Sequence, residues 1–280
     1  MIKLYAFAKI NFILQVIGKL SSGYHEIDSL MSSVSLHDEL FLENADFGID
    51  LSLSDYSIPT DEQNTAFKAA KLFLDKVNIK SGIKMRIKKN IPVAAGLAGG
   101  SADAAAVLIG LNKLFDAKLS KDELLDLGAK IGSDVPFCLT GGLCRCRGRG
   151  ELVERLDSKK LLFVLVKPSL AISTKSVYEE FDKSFIEKEN YIDKALKEGT
   201  LNLRNDLEKV VLPQYPEIGE IKKKLLELKC EQSLMSGSGS TVFGMISDKK
   251  KAQTIYSNIK KLYPQSFLVE AVDTGVSVDL

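Results

Sequence analysis

The sequence predicts an α+β protein of two domains, an N-terminal α/β domain over residues 1–155 and a C-terminal α/β sandwich over residues 156–280. In the first part, a segment with apolar residues at every second position (83–87) precedes a glycine-rich loop and an alanine-rich helix. Near residues 154–160 the composition changes, and the run LLFVLV at 161–166 is typical of a buried strand. Strands and helices are mixed from there onward, which favours a second layered α/β unit.

The glycine-rich loop, IPVAAGLAGGSADAAAVL at residues 91–108, is the most informative stretch of the chain. We expect Ser101 to cap the helix that follows it and Asp103 to lie in the first turn of that helix. The first N–H groups of a helix have no internal partner, and glycines let phosphate oxygens approach them closely. The loop therefore indicates a nucleotide phosphate site, although a glycine-rich turn packed on a helix fits the glycine content equally well. The loop matches neither the P-loop signature nor the dinucleotide-binding signature.

Local patterns predict the remaining elements in order. Residues 2–17 have the pattern of two strands, in which Lys9 and Asn11 stand two positions apart and face the same side. Residues 30–53 alternate as further strands with breaks near 37 and 44–47, and residues 64–77 form an amphipathic helix. A capping box at 120–123 starts a helix that leads to Asp134, in a tight turn where Pro136 ends regular structure. Beyond the domain boundary we expect helices at 173–182, 190–198, 217–228 and 249–262, and strands at 241–246 and 266–272.

The polar residues of these segments are ambiguous when each is considered alone. Lys9 and Asn11 could meet over a site, but two polar residues on a solvated strand edge are commoner. Asp134 could be a general base, but an aspartate that serves its own turn is the usual case. Tyr24 and His25 fit a binding role or a loop anchor equally well. Three arginines alternate along a predicted strand and could line an anionic site, although this pattern is more typical of a solvated face: Arg145, Arg147 and Arg149.

Composition excludes several classes of function. Of the 280 residues 45% are hydrophobic and 27% are charged, and the formal net charge of +1 gives no support for nucleic-acid or anionic-membrane binding. No apolar run reaches the roughly 18 residues of a membrane helix, and no clear signal peptide precedes the first predicted strand. Four cysteines and two histidines give little support for a zinc site, so we expect reduced cysteines, a cytoplasmic location and no structural metal.

Three segments in this order resemble one superfamily of small-molecule kinases, that of galactokinase, homoserine kinase, mevalonate kinase and phosphomevalonate kinase. They are AKIN at 8–11, PVAAGLAGGSADAA at 92–105 and MSGSGSTVFG at 235–244. The resemblance covers nearly the whole chain and implies that family's two-domain kinase fold, with a ferredoxin-like C-terminal sandwich. Further motifs, including GYHEI, GSDVPF, STKSVY and NDLE, resemble the branch that acts on a cytidine diphosphate-linked methylerythritol. The sequence departs from the family at Ala95 and Ala98, where many relatives have glycine, and at Ser22 and Ser240.

The resemblance implies roles for individual residues. Lys9 and Asp134 would be the catalytic pair, with Asp134 orienting or deprotonating the substrate hydroxyl and Lys9 stabilising charge. Asn11 would bind the methylerythritol end, Tyr24 and Tyr178 would sandwich the cytosine ring, and His25 would contact the polar edge of that base. Thr174 would lie near the cytidine part, and Gly237, Ser238 and Gly239 would close the site from the second domain. The ATP phosphates would lie on Pro92, Val93, Ala94, Ala95, Gly96, Leu97, Ala98, Gly99, Gly100, Ser101 and Ala102, and Asn64 would reach toward the adenine.

The implied reaction is phosphorylation of the 2-hydroxyl of the cytidine diphosphate-linked methylerythritol. ATP would be the co-substrate and Mg²⁺ would arrive with it, because the sequence offers no obvious paired carboxylates to hold the ion. We expect a monomer or weak homodimer without nucleic-acid or membrane partners. Two alternatives remain, a kinase for another small alcohol such as homoserine, and a catalytically silent nucleotide-binding regulator. The set of Tyr24, His25 and Tyr178 argues against the first, and intact Lys9 and Asp134 argue against the second.

Overall fold

The structure is a computed structural model that describes residues 1–158, 160–184 and 189–279. Its described strands are β1 Ile2–Lys19, β2 His25–Ala45, β3 Ile49–Leu53, β4 Gly82–Lys88, β5 Leu143–Gly148, β6 Leu152–Leu156, β7 Leu162–Val166, β8 Arg204–Asn205, β9 Gln232–Met235, β10 Val242–Ile246, β11 Ser266–Glu270 and β12 Val276–Asp279. Its described helices are α1 Thr65–Val77, α2 Gly99–Leu114, α3 Lys121–Ile131, α4 Val135–Thr140, α5 Thr174–Phe181, α6 Tyr191–Glu198, α7 Glu208–Gln214, α8 Pro216–Glu227 and α9 Lys249–Leu262. This mixture of helices and strands confirms the predicted α+β class.

The first sheet is built on two long antiparallel strands, β1 and β2. Its strand order is β12-β1-β2-β4-β3, with β5 joined to β2 and β6, and β8 joined to β1. The last strand of the chain thus returns to the N-terminal sheet, pairing Ala6 with Val276. The predicted boundary near residue 155 falls at the end of β6, and the next strand, β7, belongs to the second sheet.

The second sheet has the antiparallel order β11-β7-β10-β9. Numbered along the chain within this unit, the order is 4-1-3-2, which is the ferredoxin-like arrangement that the resemblance implied. Helices α8 and α9 contact this sheet. Ile218, Ile221 and Leu225 form the buried face of α8, at the spacing expected of an amphipathic helix.

Helix α2 lies close against the first sheet because its inner residues are small. Ala104, Ala105 and Ala106 are fully buried. A Cβ placed at Gly110 would lie 2.3 Å from Leu42 Cδ1 and 3.0 Å from Leu4 Cδ1, so a larger residue here would require these two buried leucines to shift. The alanine-rich run therefore fixes the distance between α2 and the sheet, and with it the position of the glycine-rich loop that precedes the helix.

Several predicted elements need correction. Residues 2–17 lie in one strand rather than two. Strand β2 continues through His37, but its pairing with β1 shifts register between Val34 and His37, close to the predicted break. Pro136 does not end regular structure, because it lies in the first turn of α4, where a missing N–H costs nothing. The strand predicted last, near 266–272, is followed by a further strand, β12. The other elements that were not predicted are α4, α7, β6, β8 and β9.

None of the helices in the described ranges is both long enough and apolar enough to cross a lipid bilayer.

Candidate active site

A cavity of about 1010 Å³ lies where the two sheets meet. Its walls include all but two of the residues that the sequence suggested for catalysis, ATP binding and substrate binding. Ala102 and Gly239 are the two that do not line it among the described residues, and Ala102 is fully buried behind the loop. The candidate residues that line the cavity are thus close in space, although in sequence they are spread from position 9 to position 238.

The N-terminus of α2 opens into this cavity without a side-chain cap. Ser101 is not the cap, contrary to our prediction: the helix begins at Gly99, and its N-cap is Ala98. Ala98 has the left-handed conformation (φ 57°) and no side-chain oxygen, so it leaves the first N–H groups of the helix unsatisfied. The N-cap carbonyl accepts the first hydrogen bond of the helix, from Ala102 N to Ala98 O at 2.9 Å. An uncapped helix start with this polarity is suited to phosphate oxygens.

Lys9 and Asp134 lie next to each other in the cavity lining. The Lys9 ammonium lies 3.7 Å from Asp134 Oδ2 and donates to Asn11 Oδ1 at 2.7 Å. Lys9 is 5% exposed, whereas the Asp134 side chain is 30% exposed and so is accessible to a ligand. Asn11 in turn donates to Ser29 Oγ at 2.9 Å. The predicted same-side placement of Lys9 and Asn11 is confirmed, and the chain of bonds fixes the lysine next to the carboxylate.

Asp134 is positioned by the turn between α3 and α4. It is the N-cap residue of α4, but its side chain makes no capping bond and remains available to the cavity. A Cβ built at Gly132 would lie 4.0 Å from Ser101 Oγ, so this turn sits beside the first turn of α2. The carboxylate is therefore close to the helix N-terminus at which phosphates would bind.

The second glycine-rich loop packs directly on the first. Ser236 Oγ donates to Gly96 O at 3.0 Å, and Thr241 N donates to Ala95 O at 3.3 Å. Asn205, which the sequence did not single out except within NDLE, donates to the carbonyls of Met235 (2.9 Å) and Gly237 (2.7 Å). The hydroxyls of Thr174 and Ser238 are 2.8 Å apart. The two predicted ligand-binding loops thus form one connected wall.

In another part of the cavity lining, Tyr178 stacks on His25 with ring centroids 4.8 Å apart. Asp182, which no sequence signal marked, accepts from Lys19 at 2.5 Å and lies 2.6 Å from His25 Nε2. These two bonds, the lysine bond first, lower the pKa of Asp182 below its ordinary value. Burial, and secondarily the charge of Asp134, raises the pKa of the Tyr178 phenol, so that the ring remains neutral. The proposed cytosine sandwich of Tyr24 and Tyr178 stays a prediction.

Asn64 lines the cavity, but both ends of its side chain are engaged. Its Oδ1 accepts from Ala66 N at 2.8 Å as the N-cap of α1, and its Nδ2 donates to Pro59 O at 2.8 Å. The predicted contact with adenine therefore remains a prediction, and the evident role of Asn64 is to start α1 beside the phosphate loop.

A buried cluster of three charges supports the first glycine-rich loop from behind. Lys89 bridges Asp38 and Asp103, with its ammonium 2.5 Å from Asp103 Oδ2. Asp38 Oδ1 accepts from the backbone N–H groups of Asn90 (2.5 Å) and Ile91 (2.8 Å), where the loop begins. We predicted that Asp103 would lie in the first turn of α2 and complement the positive helix end. Instead, Asp103 connects α2 to Lys89 through an ion pair. No local spacing marks this cluster, because its members come from three separate elements.

Burial raises the pKa of Asp103 to about 7, although Lys89 opposes this shift. Asp103 Oδ1 is buried and has no hydrogen-bond partner among the described residues. The folded protein thus binds a proton at Asp103 between about pH 4 and pH 7, whereas the unfolded chain has released it. By linkage, the stability contributed by this group is present at low pH and is lost as pH rises through the folded pKa.

We therefore predict that Asp103→Asn, whose amide cannot ionise, gains stability relative to the wild type as pH rises. The Tm difference should grow by a few degrees between about pH 5 and pH 7 and then become constant. Thermal melts of both proteins across this range test the prediction. Asp126→Asn, at an exposed position on α3, is the matched control and should show no such trend. A Tm difference independent of pH would contradict the assignment.

Comparison with known proteins agrees with this geometry. The model of the GHMP kinases N-terminal domain matches residues 64–142, and that of the GHMP kinases C-terminal domain matches residues 188–265. The chain is 44% identical over 276 residues to a 4-diphosphocytidyl-2-C-methyl-D-erythritol kinase of Clostridium botulinum, covering 95% of this chain and 99% of the relative. The enzyme of the same name from Clostridium acetobutylicum is also 44% identical over 276 residues, with the same coverage.

Solved structures give the same result. A crystal structure of 4-(cytidine 5'-diphospho)-2C-methyl-D-erythritol kinase superposes with a TM-score of 0.84 at 30% identity, covering 96% of this chain and 98% of that one. Sequence identity, domain models and backbone geometry agree over the two domains. The chain belongs to the GHMP kinase family, together with these 4-diphosphocytidyl-2-C-methyl-D-erythritol kinases.

Proposed function

We propose that this protein transfers the γ-phosphoryl group of ATP to the 2-hydroxyl of 4-diphosphocytidyl-2-C-methyl-D-erythritol, giving the 2-phosphate and ADP. This reaction belongs to non-mevalonate isoprenoid precursor synthesis. The observation that carries the proposal is the buried Lys9 beside the accessible Asp134, 3.7 Å apart, next to the uncapped start of α2. One end of that site fits phosphates and the other fits a hydroxyl, which are the two partners of a phosphoryl transfer.

On the donor side, the ATP phosphates lie along residues 92–102. The free N–H groups at the start of α2 donate to the β- and γ-phosphate oxygens, and the positive end of the helix dipole stabilises their charge. Mg²⁺ enters bound to those oxygens as part of the substrate, since magnesium commonly reaches kinase sites with the nucleotide. Asn64 and the start of α1 lie on the adenine side of this loop.

On the acceptor side, the 2-hydroxyl lies between Asp134 and the γ-phosphate. Asp134 orients the hydroxyl or accepts its proton as the new O–P bond forms and the bond from the γ-phosphorus to the bridging oxygen of ADP breaks. Lys9 stabilises the negative charge that develops on the transferring oxygens, and Asn11 binds the methylerythritol chain. Phosphoryl transfer needs little covalent help from protein, so this positioning supplies most of the catalysis.

The rest of the acceptor lies in the far end of the cavity. The cytosine ring packs against Tyr24 and Tyr178, and His25 contacts its polar edge. Thr174 and the loop of Gly237, Ser238 and Gly239 close the site from the second domain. We further propose that residues 1–155 and 156–280 act as the two domains of this kinase, that it works in the cytoplasm, and that it is a monomer or weak homodimer.

The decisive test measures ADP release with MgATP and three acceptor conditions: the cytidine diphosphate-linked methylerythritol, homoserine, and no acceptor. We expect turnover with the first alone, at a kcat within the usual range of about 1–100 per second for kinases. Product analysis should place the phosphate on the 2-oxygen. Faster turnover with homoserine would identify a kinase for another small alcohol. ATP binding without turnover on any acceptor would support a silent nucleotide-binding protein instead.

A further inference from the structure

Arg149 occupies a turn that connects the two ends of the acceptor side. The turn joins β5 to β6, and its Gly148 and Gly150 have positive φ angles of 70° and 117°. A Cβ built at Gly150 would lie 3.8 Å from Asp134 Oδ1, which places the turn beside the reacting end. The Arg149 guanidinium carbon lies 5.0 Å from the centroid of the Tyr24 ring, at the aromatic end. Arg149 therefore lies between the catalytic carboxylate and the predicted base-binding residues.

The guanidinium of Arg149 is held by two contacts, but not all of its N–H donors have a partner. Its Nη2 donates to Ala129 O at 3.1 Å, near the C-terminal end of α3. Its only carboxylate contact among the described residues is from Nε to Glu151 Oε1, at the long distance of 3.5 Å. Nη1 has no hydrogen-bond partner within the described part of the chain, and Arg149 lines the cavity. The side chain is thus held in place by contacts on one edge while donors remain for a ligand.

Three lysines of the cavity lining are already engaged by neighbouring side chains. Lys9 is bound to Asn11 and paired with Asp134, and Lys89 is enclosed by two carboxylates. Lys19 donates to Asp182 at 2.5 Å. Lys175 also lines the cavity, with its side chain 86% exposed and its ammonium 3.8 Å from Glu179 Oε1 on the same helix. Among the described residues that line the cavity, Arg149 is the one arginine, and its planar fork suits two oxygens of one phosphate.

We propose that Arg149 binds the diphosphate that links cytidine to methylerythritol, and so selects acceptors that carry this linker. The inference rests on the proposed function, because that substrate must extend from the aromatic residues to Asp134 and must lay its linker along the intervening turn. The linker carries two negative charges, and a guanidinium that is already anchored loses little freedom on binding them. Arg149 is thus a specificity-determining residue and takes no part in the proton transfer.

If Arg149 had a purely structural role, its removal would affect ligand affinities differently. If the side chain only supports Tyr24 and the end of α3, its removal weakens every ligand that contacts Tyr24, whether or not that ligand carries phosphates. If it binds the linker, its removal weakens only the ligands with phosphates. Cytidine and cytidine diphosphate distinguish the two roles, since they share the base and the sugar.

Calorimetric titration of these two ligands, with the ATP site filled by a non-hydrolysable ATP analogue and Mg²⁺, is the test. We expect the wild type to bind cytidine diphosphate at least about 10-fold more tightly than cytidine. Arg149→Met, which keeps an apolar stem, should lose most of this preference and retain cytidine affinity within about threefold. Arg149→Lys should retain part of it, because one charge without the planar fork remains. Arg147→Met is the matched control, since Arg147 is 52% exposed, pairs with Glu154 and does not line the cavity.

Turnover gives an independent measurement. With the full substrate, Arg149→Met should raise the KM for the acceptor by about 10-fold or more and leave the KM for ATP within about twofold. An equal loss of cytidine and cytidine diphosphate affinity, or an unchanged preference in Arg149→Met, would overturn the inference while leaving the kinase assignment intact. If the wild type binds neither ligand, the proposed acceptor is wrong and the role of Arg149 falls with it.

Discussion

The Asp134→Asn variant is expected to lose about 10²- to 10⁴-fold in kcat, the range for removal of a general base. Asparagine keeps the size and hydrogen-bonding reach of the side chain but cannot accept the proton of the hydroxyl. Because Lys9 is also held by Asn11 at 2.7 Å, the ammonium should stay in place when the carboxylate is removed. The KM values for ATP and for the acceptor should therefore change much less than kcat. Steady-state ADP release with both substrates varied gives all three constants.

Asp126→Asn serves again as the control, since it makes the same chemical change on the helix that leads to Asp134, at an exposed position. It should retain wild-type kcat. A fall of less than about 10-fold in Asp134→Asn would mean that the carboxylate only orients the hydroxyl. Circular dichroism of the variant should match the wild type, because the Asp134 side chain makes no capping bond to α4.

The parts of this site that the sequence predicted are those encoded by short-range spacing. Lys9 and Asn11 stand two positions apart, and β1 places them on one side, where they bond to each other. Ser120 and Glu123 stand three apart, and both bonds of their capping box are present. The order of strand, glycine-rich loop and helix also follows from local pattern, because each part has its own period or composition.

The parts that the sequence did not predict depend on contacts between distant segments. β12 is four residues long, and only its pairing with β1, some 270 positions away, makes it a strand. The cap of α2 was misplaced because Ser101 is a better capping residue than Ala98. The loop nonetheless enters the helix through a left-handed alanine, held by Lys9 N, which donates to Leu97 O at 3.1 Å. The bonds of Asp182 to Lys19 and His25 join residues more than 150 positions apart, and no sequence period records them.

The contact between the two glycine-rich loops leads to the prediction of second largest effect. Gly96 has φ +71°, and a Cβ at this position would lie 2.1 Å from Ser236 O and 3.0 Å from Gly239 O. Both obstacles are backbone atoms, which cannot rotate away as a side chain could. Alanine at position 96 must therefore push the first and second glycine-rich loops apart. The change should also disturb the bond from Ser236 Oγ to Gly96 O.

We expect Gly96→Ala to lower kcat/KM by about 10²-fold or more, because displacing reacting groups by about 1 Å has effects of this size. Both substrates should bind more weakly, because in the proposed function the first loop binds ATP and the second closes the acceptor site. Gly219→Ala is the matched control: Gly219 lies in α8 with no atom within 4 Å of a Cβ, so alanine should leave activity unchanged and slightly favour the helix. Steady-state kinetics of both variants measure the change in kcat/KM, and thermal melts measure the change in stability. Wild-type kcat/KM in Gly96→Ala would show that the two loops need not touch during catalysis.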